Sequence, residues 1–211
     1  MTPAPDEYAR IAPHYDRVVG TFLRPVHRAV LDALPDPSLP LLDLCCGTGL
    51  LTAMAAAEGR QVVGLDLSPA MLARSGAGAS GRFVLGDGAA LPFASGRFGA
   101  VAICFALHEK PAPVRTALLA EAVRVLRPGG ALLVADYRVP QCLGERLMGM
   151  GVALVERLAG REHFACFRAF RRAGGSRAEL ERAGLPALRT ARFLGGAAGV
   201  YLARAGSFPA P

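Results

Sequence analysis

Three acids stand at or near the ends of short aliphatic runs: Asp43 in "LLDLCCGTGL", Asp66 in "VVGLDLSPAML" and Asp87 in "VLGDGAALPF". After the first come Gly47 and Gly49, which lack a Cβ and let backbone approach a ligand closely. A helix beginning there would offer its free N–H groups to whatever binds. Dinucleotide folds use such a turn for a pyrophosphate, but their fingerprint needs a further glycine or alanine where this chain has Thr52. They also usually lack an acid at the strand end. The Tyr–Lys pair of a short-chain dehydrogenase is missing as well, because Lys110 is the only lysine and Ala106 stands four residues before it. Successive carboxylates repel phosphate and attract a cation. A ligand carrying an amine and a positive charge would explain Asp43. Asp66 can accept hydrogen bonds from both hydroxyls of a ribose, and Asp87 from the exocyclic amine of a purine. The trio reads as a site for a cationic nucleoside.

Short strands separated by helices must position these acids. The aliphatic runs predict strands at Leu41–Leu44, Val62–Leu65, Arg82–Leu85, Ala100–Cys104 and Ala131–Asp136. Helices are predicted near Thr52–Glu58, Pro69–Ser75 and Val114–Leu126. In the last, Val114, Leu118, Ala122, Val125 and Leu126 share a face, and Arg127-Pro128-Gly129-Gly130 should stop the helix and turn the chain. Crossovers of this length imply an α/β architecture with a doubly wound, mostly parallel sheet, whose ligands sit at the carboxyl ends of the strands. Two extended runs, Ala187–Leu194 and Val200–Arg204, flank a glycine-rich link and predict an antiparallel C-terminal hairpin, making seven strands.

The composition fits this picture. A chain of 211 residues and 22.0 kDa, 52% hydrophobic, suits one ordered domain. The net charge of +7 comes almost wholly from arginine, in a chain rich in Ala, Gly and Pro; no basic motif interleaved with aromatic platforms accompanies it, so no nucleic-acid partner is expected. Five cysteines without a CxxC pair form neither a disulfide framework nor a zinc pattern, and no metal site is expected. Met1–Arg10 carries acids and no apolar core, unlike a secretory signal. Apolar runs such as Ala100–Leu107 fall short of the roughly 20 residues that cross a bilayer. A cytoplasmic, soluble protein is expected.

Together these motifs resemble the class I S-adenosylmethionine-dependent methyltransferases, with a Rossmann-like methyltransferase fold. The resemblance is strongest to the branch of the ubiquinone and menaquinone C-methyltransferases and the bacterial phospholipid N-methyltransferases. "LLDLCCGTG" is similar to the first family motif, with Cys45 where many members have glycine; "GLDLSPAML" and "GDGAALPF" are similar to the second and third. "EAVRVLRPGGALLVADY" resembles the segment running into the fifth strand. The resemblance implies that Asp43, Cys45 and the Gly47-Thr48-Gly49 turn hold the methionine end of S-adenosyl-L-methionine. Asp66 would take the ribose hydroxyls, Leu67 the adenine face, Asp87 and Gly88 the adenine edge, and Phe105 the sulfonium end. It also implies one domain over residues 1–211, with lid helices in 1–35, a cofactor core in 36–136, and acceptor-side helices plus the hairpin in 137–211. Relatives usually have Phe-Asp before the fourth strand, where this chain has Phe98-Gly99.

Methyl transfer from a sulfonium is an in-line displacement in which alignment supplies much of the catalysis. A base is needed if the nucleophile is an oxygen, a carbon acid or a protonated amine. "CFALHEKP" places His108 beyond the fourth strand as a candidate base, set against a merely packed histidine, with Glu109 pairing Lys110 or facing solvent. "YARIAPHYDRVVG" resembles the lid of the quinone and lipid enzymes, which makes Tyr15 the candidate closing aromatic, with Tyr8 and His14 behind it. In the tail, "CLGERLMGMGVALVERLAG" offers an apolar surface that could cover a hydrophobic acceptor or pack as core. "REHFACFRAFRRAGG" interleaves arginines with Phe164, Phe167 and Phe170, a combination able to grip an anionic head while a greasy body lies on the aromatics. The expected partner is a small-molecule methyl acceptor, lipophilic or anionic, such as a quinone precursor or a phospholipid, with peripheral membrane contact. A protein that binds the cofactor but transfers no methyl group is the alternative.

Overall fold

A computed structural model describes residues 6, 8, 9, 12–34, 36–75 and 81–204, apart from the side chains of 14, 18, 19, 189 and 190. His14 as a candidate beside Tyr15, and the ends of the expected lid and hairpin segments, therefore lie outside the described residues. The elements run α1 (Tyr15–Asp32), β1 (Leu41–Leu44), α2 (Leu50–Ala57), β2 (Val62–Asp66), α3 (Pro69–Leu72), β3 (Arg82–Leu85), β4 (Phe98–Cys104) and α4 (Ala112–Val125). Then follow β5 (Leu126–Tyr137), α5 (Leu143–Leu158), α6 (Arg161–Arg172), α7 (Gly175–Arg182), β6 (Ala187–Phe193) and β7 (Ala198–Arg204).

One seven-stranded sheet has the order β3-β2-β1-β4-β5-β7-β6. The strands β1 to β5 pair in parallel, and β7 runs antiparallel between β5 and β6. The expected mostly parallel sheet with an antiparallel end is what forms. Central strands are covered on both faces, which is why β1 and β4 are continuous aliphatic runs instead of alternating ones. On one face Val26, Val30 and Leu31 of α1 and Leu51 and Ala55 of α2 pack over Leu41, Ala100, Ala102, Leu133 and Ala135. On the other, Leu118, Leu119 and Ala122 of α4, Phe170 of α6 and Leu180 of α7 pack over Leu42, Leu44, Val101, Ile103 and Val134.

Two local differences from the sequence reading have a common cause. The fifth strand begins at Leu126, not Ala131, and takes Arg127-Pro128-Gly129-Gly130 into itself. Its register with β4 slips between Phe98 and Ala100, so the expected turn becomes an irregularity inside the sheet. Gly99 lies at that slip. Its N–H donates to the Pro40 carbonyl at 2.9 Å, and an added Cβ would lie 2.5 Å from Leu39 Cβ. The glycine standing where relatives have an acid is thus demanded by the close approach of Leu39. Because Leu39 Cβ is tied to backbone, Gly99→Ala is expected to destabilise the fold by about 1–3 kcal/mol in chemical denaturation.

Candidate functional site

The carboxyl ends of β1, β2 and β3 lie side by side, and each delivers one of the three acids to the same rim. They are not equivalent. Asp43 is buried, and its Oδ2 accepts from Thr52 N at 3.0 Å and from Thr52 Oγ1 at 2.7 Å. It caps the first turn of α2 from within the sheet, an arrangement in which a charged acceptor satisfies a free helix N–H. Burial pushes its carboxyl up to about 7; the two Thr52 bonds oppose that shift and nearby Asp66 reinforces it. At 2% exposure the side chain faces into the fold and shapes the turn that the resemblance implies for the methionine end. Thr52, where the dinucleotide fingerprint needs a glycine or alanine, is the residue that makes this possible. The sheet yields space for it, since a Cβ on Gly64 would lie 2.7 Å from Thr52 Oγ1.

The turn itself bends through left-handed positions at Cys45 (φ 60°), Gly47 (φ 56°) and Gly49 (φ 77°). Gly49 is indispensable on space as well, its Cβ position lying 2.4 Å from the Phe83 ring, whereas Gly47 faces open space. Thr48 is buried, and its hydroxyl donates to Asp16 Oδ1 at 2.5 Å, so it ties α1 to the turn. Burial pushes the Cys45 thiol well up, which keeps it protonated. Asp66 is half-buried; Oδ2 accepts from Gly47 N at 2.7 Å and Oδ1 from Ser68 N at 2.8 Å. Burial raises its carboxyl above the ordinary range against those two bonds. Beside it Leu67 is 66% exposed, an apolar face with no protein cover. Asp87 is exposed and accepts from Ala89 N at 2.8 Å, while Gly88 is buried where a Cβ would meet Leu118 and Leu44. Lys110, whose charge acts on Asp66, is paired with Glu109 at 2.7 Å. Carboxylates, an exposed apolar platform and open space over Gly47 fit a cationic nucleoside.

Beyond β4 and β5 the character changes. Phe105 adopts φ 51°, donates its N–H to Ala135 O at 2.7 Å, and meets Tyr137 edge-on at 5.5 Å. Asp136 is fully buried and receives Leu107 N at 2.9 Å and His108 N at 3.2 Å on one oxygen. Its other oxygen lies 2.8 Å from His108 Nδ1. The opposite ring nitrogen of His108 is 3.5 Å from Glu156 Oε2. Glu156 also accepts from the Tyr137 hydroxyl at 2.6 Å and lies 2.5 Å from His163 Nε2. Burial opposes charge on His108, but Asp136 and Glu156 outweigh it and lift the imidazole to about 10. Burial likewise opposes charge on Glu156, and its bonds to His108, His163 and Tyr137 hold it well below the carboxylate range. The candidate base is therefore a cation at neutral pH with both nitrogens engaged. Glu109 pairs with Lys110, one of the two expected alternatives.

Tyr15 stands between the two regions. Burial raises its hydroxyl furthest, followed by the charges of Glu109, Asp16, Glu156 and Asp66, which come from both sides. Tyr8 is hydrogen-bonded to Glu109, and Lys110 lies 5.7 Å over its ring. Asp6, absent from the candidate set, accepts from Ser68 Oγ and from Ala70 N at 2.9 Å, fastening the N-terminal segment beside Asp66.

The helix α5 is amphipathic in an inverted sense. On α5, Glu145 and Glu156 face inward at 5% and 7% exposure, while Leu143, Leu147, Met150, Leu154 and Leu158 point outward. Its exposed charges, Arg146 and Arg157, are both positive. A cleft of about 400 Å³ is lined by Val139, Ala153, Phe164, Phe167, Arg168, Arg171 and Arg172. Phe164 and Phe167 stack at 6.1 Å, with Arg168 5.9 Å over the first ring and Arg171 5.4 Å over the second. The interleaved arginines and aromatics do converge. Among the described residues no helix is long and apolar enough to cross a membrane.

Asp136, Tyr137, Glu156 and His163 had not been assigned to the site. Two signals were available: an acid closing the fifth strand as acids close the others, and an acid inside an otherwise apolar helical stretch.

Comparison with known proteins agrees with this geometry. Residues 41–130 match the family described as a methyltransferase domain. The demethylmenaquinone methyltransferase of Beutenbergia cavernae is 45% identical over 118 residues, 54% of this chain and 47% of that one. The enzyme of the same name from Thermus thermophilus is 42% identical over 145 residues, 63% of this chain and 65% of that one. The chain thus spans about half to two thirds of the length of these relatives. An O-methyltransferase family protein from Burkholderia thailandensis superposes with a TM-score of 0.72 at 15% identity, over 95% of this chain and 61% of that one. Human N-acetylserotonin methyltransferase, solved with S-adenosylmethionine, gives 0.64 at 18% identity, over 94% and 56%. Residues 41–130 thus match a methyltransferase domain, and the chain is similar in sequence to demethylmenaquinone methyltransferases and in fold to methyltransferases.

Removing the Thr52 hydroxyl should expose how far the turn leans on Asp43. Thr52→Val is expected to cost about 1–3 kcal/mol in denaturant unfolding, the range for a bond to a charged group, and Thr52→Ser to recover most of it.

Proposed function

We propose that the chain transfers the methyl group of S-adenosylmethionine to a lipophilic aromatic acceptor of the demethylmenaquinone kind. The observation that carries this reading is the junction of two unlike regions at Tyr15 and Phe105. One is a carboxylate-rimmed apolar platform suited to a cationic nucleoside, and the other a buried His–carboxylate cluster flanked by aromatic rings. The names of the relatives support the acceptor class.

In this reading Asp66 accepts the ribose hydroxyls, Leu67 carries the adenine, and Asp87 with the backbone of Gly88 meets its edge. Gly47, Gly49 and Cys45 border the methionine end; Asp43 and Thr48 hold that turn in place. Phe105 lines the sulfonium, and Tyr15 closes over it. The acceptor ring lies against Tyr137 and His108. As an imidazolium held between Asp136 and Glu156, His108 favours the oxyanion of an ionising ring hydroxyl through its charge, and does not act as the base. An apolar tail would leave along the Phe164–Phe167 cleft. The outward apolar stripe of α5, flanked only by arginines, suits the surface of an anionic membrane, where such an acceptor resides.

Calorimetry on purified protein tests the cofactor half. Asp66→Ala should abolish S-adenosylmethionine binding while leaving circular dichroism unchanged. Asp43 has a raised folded-state pKa, so it is partly protonated near neutrality, and a cationic ligand favours its carboxylate. Binding should therefore release a proton below pH 7, seen as a buffer-dependent heat, and lose that dependence by about pH 8.5. Absence of cofactor binding in the unaltered chain would overturn the reading.

Vesicles test the membrane half. Leu147→Glu with Leu154→Glu should weaken sedimentation with anionic vesicles by at least about tenfold, since each buried leucine contributes about 1.5–3 kcal/mol. Cofactor affinity should stay unchanged.

A further inference from the structure

The pocket beyond β4 holds more ligating chemistry than a hydrogen-bonded histidine requires. One ligand atom each from His108, Glu109 and His163 lie within 4.8 Å of one another, all three residues buried or half-buried. We infer that these three side chains form a binding site for a borderline divalent metal of the zinc class, set at the acceptor side of the pocket.

Four observations carry this beyond proximity. First, His108 is prepared as a ligand: Asp136 Oδ1 sits 2.8 Å from Nδ1 and fixes the ring, leaving Nε2 to face Glu156 and the other donors. A carboxylate behind the non-ligating nitrogen is the outer-shell arrangement found at most metal-bound histidines, where it sets tautomer and orientation. Second, the spacings suit one small cation. Metal–ligand bonds of about 2.0–2.2 Å in a tetrahedron separate neighbouring ligand atoms by about 3.3–3.6 Å. His163 Nδ1 lies 3.7 Å from Glu109 Oε2, and the three ligand atoms all lie within 4.8 Å of one another. Third, the charges call for a divalent ion. An ion on Nε2 would displace the proton that His108 otherwise holds between Asp136 and Glu156; with both imidazoles then neutral, Glu109, Glu156 and Asp136 against Lys110 leave three negative charges less one positive, a net of two. Fourth, the donor set of two imidazoles and a carboxylate is one that zinc and its neighbours accept, whereas magnesium and calcium prefer oxygen throughout.

The ligands come from separate parts of the fold, His108 and Glu109 from the loop after β4 and His163 from the first turns of α6. A bound ion would pin that helix to the sheet. Glu156, 2.5 Å from His163 Nε2, is positioned to join the set or to hold His163 from behind. An oxygen of the acceptor, hydroxyl or carbonyl, would complete the coordination, and the ion would there act as a Lewis acid on that oxygen. This deepens the acceptor reading above, while binding of the metal itself is measurable without methyl transfer.

The test uses the full chain, stripped with chelator and titrated with zinc, and with cobalt as the spectroscopic probe. The expected result is one ion per chain, a raised melting temperature, and cobalt d–d bands of tetrahedral intensity. His163→Ala and Glu109→Gln should each weaken binding by at least about tenfold, and Asp136→Asn by about 10–100-fold. The side chain of His163 is partly exposed, so its variant keeps the test open should the buried Asp136 variant fail to fold. No stoichiometric zinc binding, or binding that His163→Ala leaves unchanged, would overturn the inference. S-adenosylmethionine binding, measured in parallel, is unaffected by that failure and separates it from failure of the cofactor reading.

Discussion

Both oxygens of Asp136 are taken up by the loop that follows the neighbouring strand: two backbone N–H groups of Leu107 and His108, and the His108 ring. Asp43 holds the start of α2 through one oxygen, which accepts from both the N–H and the hydroxyl of Thr52. A parallel sheet ends in loops whose first N–H groups have no ladder partner, and a buried carboxylate at the strand end is a compact way to satisfy them. Burying a carboxyl group is costly unless its oxygens find donors, so the loops that supply those donors are held in one conformation. This constraint fixes the glycine turn on one side of the sheet and the His108 loop on the other.

From it follows the polarity of the acceptor side. Tyr137, directly after Asp136, directs its hydroxyl at Glu156 and so draws α5 inward by that helix's acidic edge. Glu145, on the same edge, accepts from Arg138 at 3.3 Å and from Gln141 N at 2.7 Å. With its acids turned to the sheet, the helix presents leucines, methionines and two arginines outward. The apolar surface of α5 is a consequence of the polar network beneath it.

Much of this was legible in the residues. Aliphatic runs bounded by glycine and proline located the strands, because a strand buried on both faces has no other way to be written. Asp66 and Leu67 were readable from their position at a strand end before a helix. That Asp43 would bond Thr52 was not legible: alternate side chains of a strand face opposite sides, and a shift of one position decides which neighbour an acid meets. The need for Gly99 was invisible, since Leu39, which excludes a Cβ there, approaches only through the tertiary fold. Glu156 and His163 gain their meaning from Tyr137 and His108, which lie far away in the chain. Periodicity says which face of a helix is apolar, but not which face the sheet will claim.

The chain has one lysine, and the fold sets it at the boundary between its two halves. Lys110 reaches Glu109 at 2.7 Å, lies over the Tyr8 ring, and acts on Asp66, while its side chain keeps 27% exposure. An amine-selective reagent therefore finds a single side-chain address in this sequence, beside Tyr8 and within the field of Asp66. A fluorophore attached there would sense changes around Asp66 without any engineered cysteine.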